Sequence, residues 1–189
     1  MKNTKKLVAL LLAMCLVLGG VIGGTLAYLM TETPAVTNTF VAGKIGTLTL
    51  TESDDDKKFM VIPGVDIKKD PTVTFSGNNV AAYVFVKVEQ TGWVTTDRKT
   101  YSCVDGKVTW TIADGWTHLG NGVYYAVVDA NANMAASIIA GNTITVPNTV
   151  TKGDLAAFTE GTSLKFTAYA VQKDTFADAQ AAWSATFGK

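Results

Sequence analysis

From residue 37 to residue 173 the chain returns repeatedly to one pattern, in which apolar side chains alternate with threonines or other polar residues at a period of two. The stretches are TNTFVAG (37–43), IGTLTLTE (45–52), PTVTFSG (71–77), VAAYVFVKVE (80–89), KVTWTIA (107–113), GVYYAVVDA (122–130), NTITVP (142–147) and SLKFTAYAVQK (163–173). A period of two places successive side chains on opposite faces of a strand, and few other backbone conformations satisfy it. Turn formers separate the stretches: Pro63-Gly64, Gly77-Asn78-Asn79, Asp105-Gly106, Gly120-Asn121-Gly122 and Gly141-Asn142. Short strands at this spacing predict a mainly β chain, an antiparallel jelly-roll-like β-sandwich.

Two segments depart from the pattern. In 175–187 Phe176, Ala179, Ala182 and Trp183 recur at helical spacing, which predicts a short C-terminal helix docked by its aromatic side chains. NANMAASIIAG (131–141) is ambiguous and has room for a turn of helix. No internal repeat is visible.

The first residues set the compartment. Lys2, Lys5 and Lys6 precede an unbroken apolar run over 7–18, and a glycine-rich segment ends in Thr25-Leu26-Ala27. This is the layout of a secretory signal with small residues at the peptidase site, so cleavage is expected between Ala27 and Tyr28. The 21 uncharged residues of 7–27 are long enough to span a bilayer, but no basic stop-transfer cluster follows them. The expected organisation is a cleaved signal over 1–27, a linker over 28–36 and a sandwich domain over 37–189, with membrane contact only before cleavage.

The full chain has 16 basic and 16 acidic residues, and loss of the three signal lysines leaves a net charge of −3. Nothing in that balance favours a nucleic-acid partner. Cleavage also removes Cys15, so Cys103 has no internal disulfide partner and reads as a small buried apolar residue.

The chemical signals are thin. His118 is the chain's only histidine, which excludes a two-histidine zinc motif, and no Gly-x-Ser-x-Gly elbow exists. His118 lies in DGWTHLGNG and is expected at a hairpin tip on the surface. The acidic run TESDDDKK (51–58) lacks the spacing of a calcium loop and reads as a solvated turn. Trp93, Trp110, Trp116 and Tyr101 are candidate stacking residues for a carbohydrate, against the commoner role of strand packing. No catalytic residue, metal ligand or cofactor site is expected.

Three stretches together resemble the TasA/camelysin family: GGTLAYLMTETPAVTNTFVAGKI (23–45), VIPGVDIKKDPTVTFSGNNVAAYVFVKVE (61–89) and LKFTAYAVQKDTFADAQAAW (164–183). They cover under half the chain, and none is a catalytic motif. The resemblance implies a precursor cut by a signal peptidase of the SipW type. It also implies a secreted protein that polymerises into extracellular fibres of a biofilm matrix, with itself, alone or together with an accessory matrix subunit, as partner. Some members have been classed as metallopeptidases, a role for which this chain has little histidine.

The residues themselves suggest how assembly would proceed. Tyr28, Leu29, Met30 and Val36 are apolar, while Thr31 and Thr33 keep high strand propensity without helix drive. Pro34 bars a central ladder position and serves as a hinge. Such a segment suits donor-strand complementation, in which it fills an open sheet edge of a neighbour; a head-to-tail contact of this kind propagates a filament. Residues 37–41 are then the first strand of the domain itself. The competing readings are a secreted camelysin-type metallopeptidase and a monomeric surface carbohydrate-binding or adhesion module.

Overall fold

The period-two stretches become strands, and the parity of their side chains decides what each strand buries. A computed structural model of the chain describes residues 42–53, 59–156, 158 and 162–188. In chain order its elements are β1 (Thr47–Thr51), β2 (Ile67–Lys68), β3 (Thr72–Ser76), β4 (Ala82–Thr91), β5 (Thr100–Cys103), β6 (Val108–Thr111), β7 (Thr117–Gly120), β8 (Val123–Val128), β9 (Met134–Ser137), β10 (Thr143–Ile144), α1 (Lys152–Leu155), β11 (Ser163–Gln172) and α2 (Ala179–Thr186). The described residues belong to one compact unit.

All pairings are antiparallel. One sheet runs β1-β3-β9 and a second β11-β4-β8-β7, with two short ribbons, β5-β6 and β10-β2, at their margin. Val73 and Phe75 of β3 and Ala82, Val84, Val86 and Val88 of β4 enter the same core, together with Tyr101, Trp110 and Tyr124. Two antiparallel sheets thus share one apolar interior.

Two odd residues of β4, Tyr83 and Phe85, are also buried, which a half-solvated strand does not require. Tyr83 and Phe85 lie on the outer face beneath α2. Asp178 starts that helix, its carboxylate accepting from Ala181 N at 2.7 Å. Ala179 and Ala182 are small enough to let the helix lie close. Trp183 packs with its centroid 5.2 Å from Phe85 and 5.3 Å from Tyr169. The expected mainly β fold with a short C-terminal helix is the one observed.

The turn chemistry also holds. Asn121 and Gly122 adopt φ of 50° and 73° and close the β7–β8 hairpin as a two-residue loop of the I′ kind, with Gly120 opposite Val123. A Cβ on Gly122 would sit 2.6 Å from the Val88 carbonyl oxygen, so glycine is required there.

Two expectations need correction, at 45–52 and at His118, and one ambiguity resolves. In 131–141 residues 134–137 form β9, and Ala140–Asn142 make a single 3-10 turn, the turn of helix the sequence left room for. Pairing with Val73 and Phe75 outweighs the helix propensity of Met134 and its alanines. The strand read over 45–52 begins at Thr47, because Gly46 turns the backbone at φ 94°. His118 is not at a hairpin tip but within β7, half-buried, its ring edge-on to Tyr124 at 5.1 Å. The strand expected at 37–41 lies outside the described residues.

Candidate assembly edge

Strand addition needs a sheet edge whose outward N–H and C=O groups are unpaired and whose core-facing side chains are incompletely covered. Among the described residues four strands stand at an edge of the two larger sheets: β1, β9, β7 and β11. Their chemistry separates them.

The strand β7 is four residues long, and its register breaks between His118 and Gly120, a short bulged edge of the protected kind. The strand β9 is capped from outside. The Trp116 indole N–H donates to Ser137 O at 2.9 Å, and Ala113 N donates to Ile138 O just beyond, also at 2.9 Å.

The strand β11 differs from both. It is ten residues long and pairs with β4 from Ser163↔Thr91 to Gln172↔Ala82 without a break. Among the described residues its other side makes no backbone pair. Leu164, Phe166, Ala168 and Ala170 turn toward the core, yet none is fully buried, whereas the same face of β4 is. Across from it stands β1, whose Leu48 and Leu50 are likewise only half-covered. These two edges lie side by side without joining. The seam is therefore a place where the core reaches the surface between two strand edges.

Ala27 and Tyr28 of the cleavage site, and the donor residues Leu29, Met30, Thr31, Thr33 and Val36, lie outside the described residues. The aromatic candidates are structural. Tyr101 and Trp110 stack on each other at 4.3 Å and 5° within the core, Trp93 packs edge-on to Trp110, and Trp116 is held by Ser137. The preferred packing role thus stands, and no exposed aromatic platform forms from them.

Cys103 is buried, as read from the sequence, and desolvation pushes its thiol up to about 11. A thiol held this far from its thiolate reacts slowly. Alkylation of the folded protein at pH 8 is expected to lag the urea-unfolded protein by about two orders of magnitude, given the roughly tenfold ionisation change per pKa unit plus exclusion of the reagent. Equal rates measured by intact mass would contradict the burial.

No group of three or more histidine, cysteine, aspartate or glutamate side chains able to hold a metal occurs among the described residues. Nor is any helix among them long and apolar enough to cross a membrane. Three carboxylates serve the loops instead. The Asp97 carboxylate is held near 2 by the N–H groups of Lys99 and Thr100, at 2.9 and 2.7 Å. Asp154 is held near 2 by Lys107 and by Thr151, and Asp70 by hydrogen bonds from Ser53 and by Lys68.

All three fold with a pKa below that of the unfolded chain, so their support is complete above about pH 4 and is lost as pH falls toward 2. Thermal melts are expected to be flat from pH 7 to about 4.5 and to drop below it, with a shallower drop in Asp97→Asn. A melting temperature independent of pH down to 2 would contradict this.

Comparison of the chain with protein-family models, with curated proteins and with solved structures finds no match.

The sequence reading missed the seam. Alternation in SLKFTAYAVQK gives the apolar face of β11 but not that one side has no neighbour among the described residues, which depends on pairing between residues far apart in the chain.

Proposed function

We propose that this protein is a secreted structural subunit that assembles head-to-tail into extracellular fibres of a biofilm matrix, through donor-strand complementation. The observation that carries the reading is the ten-residue edge of β11, unpaired among the described residues, beside the half-covered Leu48 and Leu50 of β1. An open edge of that length is normally an aggregation hazard. The chain supplies an apolar, threonine-rich segment suited to fill it. Tyr28 and Met30 would alternate with Leu29, Thr31 and Thr33, so one set faces the core of the neighbour and the other faces solvent.

Release from the signal by a SipW-type peptidase is the switch: while 1–27 holds the segment at the membrane it cannot reach a neighbour. The jelly-roll topology and the TasA/camelysin resemblance belong to the same reading.

Electron microscopy of the secreted protein across a concentration series tests it. Unbranched filaments above a threshold concentration support the reading. Monomers at every concentration and at both neutral and mildly acidic pH would contradict it.

A further inference from the structure

The segment that joins β4 to β5 folds back on β5 and leaves a cavity beside it. Val94 and Ser102 exchange two backbone hydrogen bonds of 2.8 Å each, which bridge the segment to the strand it leads into. In β5 Tyr101 and Cys103 go to the core, so by parity Thr100 and Ser102 point the other way. With Val94, Thr95, Thr96 and Asp97 they line a cavity of about 310 Å³. That volume lies at the lower end of the range for small-molecule sites.

The polar groups of this cavity are fixed in place and only partly used. Asp97 Oδ1 accepts from Lys99 N at 2.9 Å, from Thr100 N at 2.7 Å and from Thr95 Oγ1 at 3.2 Å. Among the described residues no group donates to Asp97 Oδ2, and the hydroxyls of Thr96 and Ser102 have no partner. The loop is held at a backbone conformation that few side chains accept, with Arg98 at φ 60°. Its N–H donates to Thr95 Oγ1 at 3.0 Å, and its carbonyl accepts from the buried Tyr124 hydroxyl at 2.7 Å. Strain that the surroundings enforce from two sides is concentrated at functional loops.

We propose that this cavity binds a neutral carbohydrate, whose hydroxyls bond to Asp97 Oδ2, Thr96 and Ser102. A hydroxyl both donates and accepts, so Thr96 and Ser102 match sugar hydroxyls in either sense, while the carboxylate accepts. Val94, 64% exposed, gives an apolar wall to the C–H face of a sugar ring. One carboxylate is too few for a calcium ion, which gathers six to eight oxygens, and it repels an anion. No aromatic side chain lines the cavity, so binding rests on hydrogen bonds to a rigid loop, with a Kd of the order of 1 mM. No residue of β1 or β11 takes part, so the site is independent of strand addition.

Titration of the secreted protein with glucose, galactose, mannose and N-acetylglucosamine, followed by proton–nitrogen correlation spectra, tests it. At least one of these sugars is expected to shift the amide signals of 94–102 and to saturate in the millimolar range. Thr96→Val/Ser102→Ala removes two hydroxyls and keeps every bond of Asp97 to the loop. It is expected to weaken that binding about tenfold at an unchanged melting temperature. Thr96→Val alone, at an exposed position, serves if the pair disturbs folding. Saturation by none of the four sugars, shifts confined to residues outside 94–102, or undiminished affinity in the folded variant would overturn the proposal. Binding of calcium or of protonated glucosamine at 94–102 without binding of the neutral sugars would overturn it too.

Discussion

Deleting residues 28–35 is expected to leave a folded monomer that forms no filaments. Folding survives because the described core draws only on residues from β1 onward: Leu48, Leu50, Val73, Phe75, the inner face of β4 and the aromatic group around Trp110. Assembly fails because the deletion removes the segment proposed to pair with β11. The expected result is an unchanged circular dichroism spectrum, a melting temperature within a few degrees of the parent, and loss of all sedimentable polymer. Truncated chains that still polymerise would show that the arm is not the donor.

The second large effect concerns the core. Trp110 is 2% exposed, stacked on Tyr101 and in edge contact with Trp93 and Phe166. Trp110→Ala removes the largest buried side chain at the junction of the β5-β6 ribbon with the main sheets. Such truncations cost about 3–5 kcal/mol, against a total of about 5–15 kcal/mol for a typical domain. In urea the midpoint is expected to fall by about 1–3 M at an ordinary slope. A shift of a few tenths molar would mean that Trp110 is a surface residue, and would revive the carbohydrate-stacking reading that its burial disfavours.

How much of this was legible in the sequence follows from range. The long strands β4 and β11, the Asn121-Gly122 hairpin and the C-terminal helix rest on local pattern, and each reads directly. Burial of Cys103 follows from its lack of a partner and its apolar character. The strand β9 does not read, because Met134 and its alanines favour helix and become a strand only against Val73 and Phe75. The strand β5 is short and embedded in polar turns, and it is fixed by the stacking of Tyr101 on Trp110. The candidate site is less legible still. The sequence names a donor, but the acceptor is a property of two edges that meet only in three dimensions.

Hydrogen–deuterium exchange by mass spectrometry, comparing assembled wild-type protein with the chain lacking 28–35, tests the central claim most directly. Outward amides of β11 exchange freely while that edge is unpaired and are sealed when a donor strand bonds to them. The account predicts that peptides covering 163–172 gain strong protection on assembly, with residues 28–36 protected alongside them, while the bulged edge β7 and the capped edge β9 change little. Filaments in which 163–172 exchange as fast as in the monomer would contradict it and place the contact on another surface.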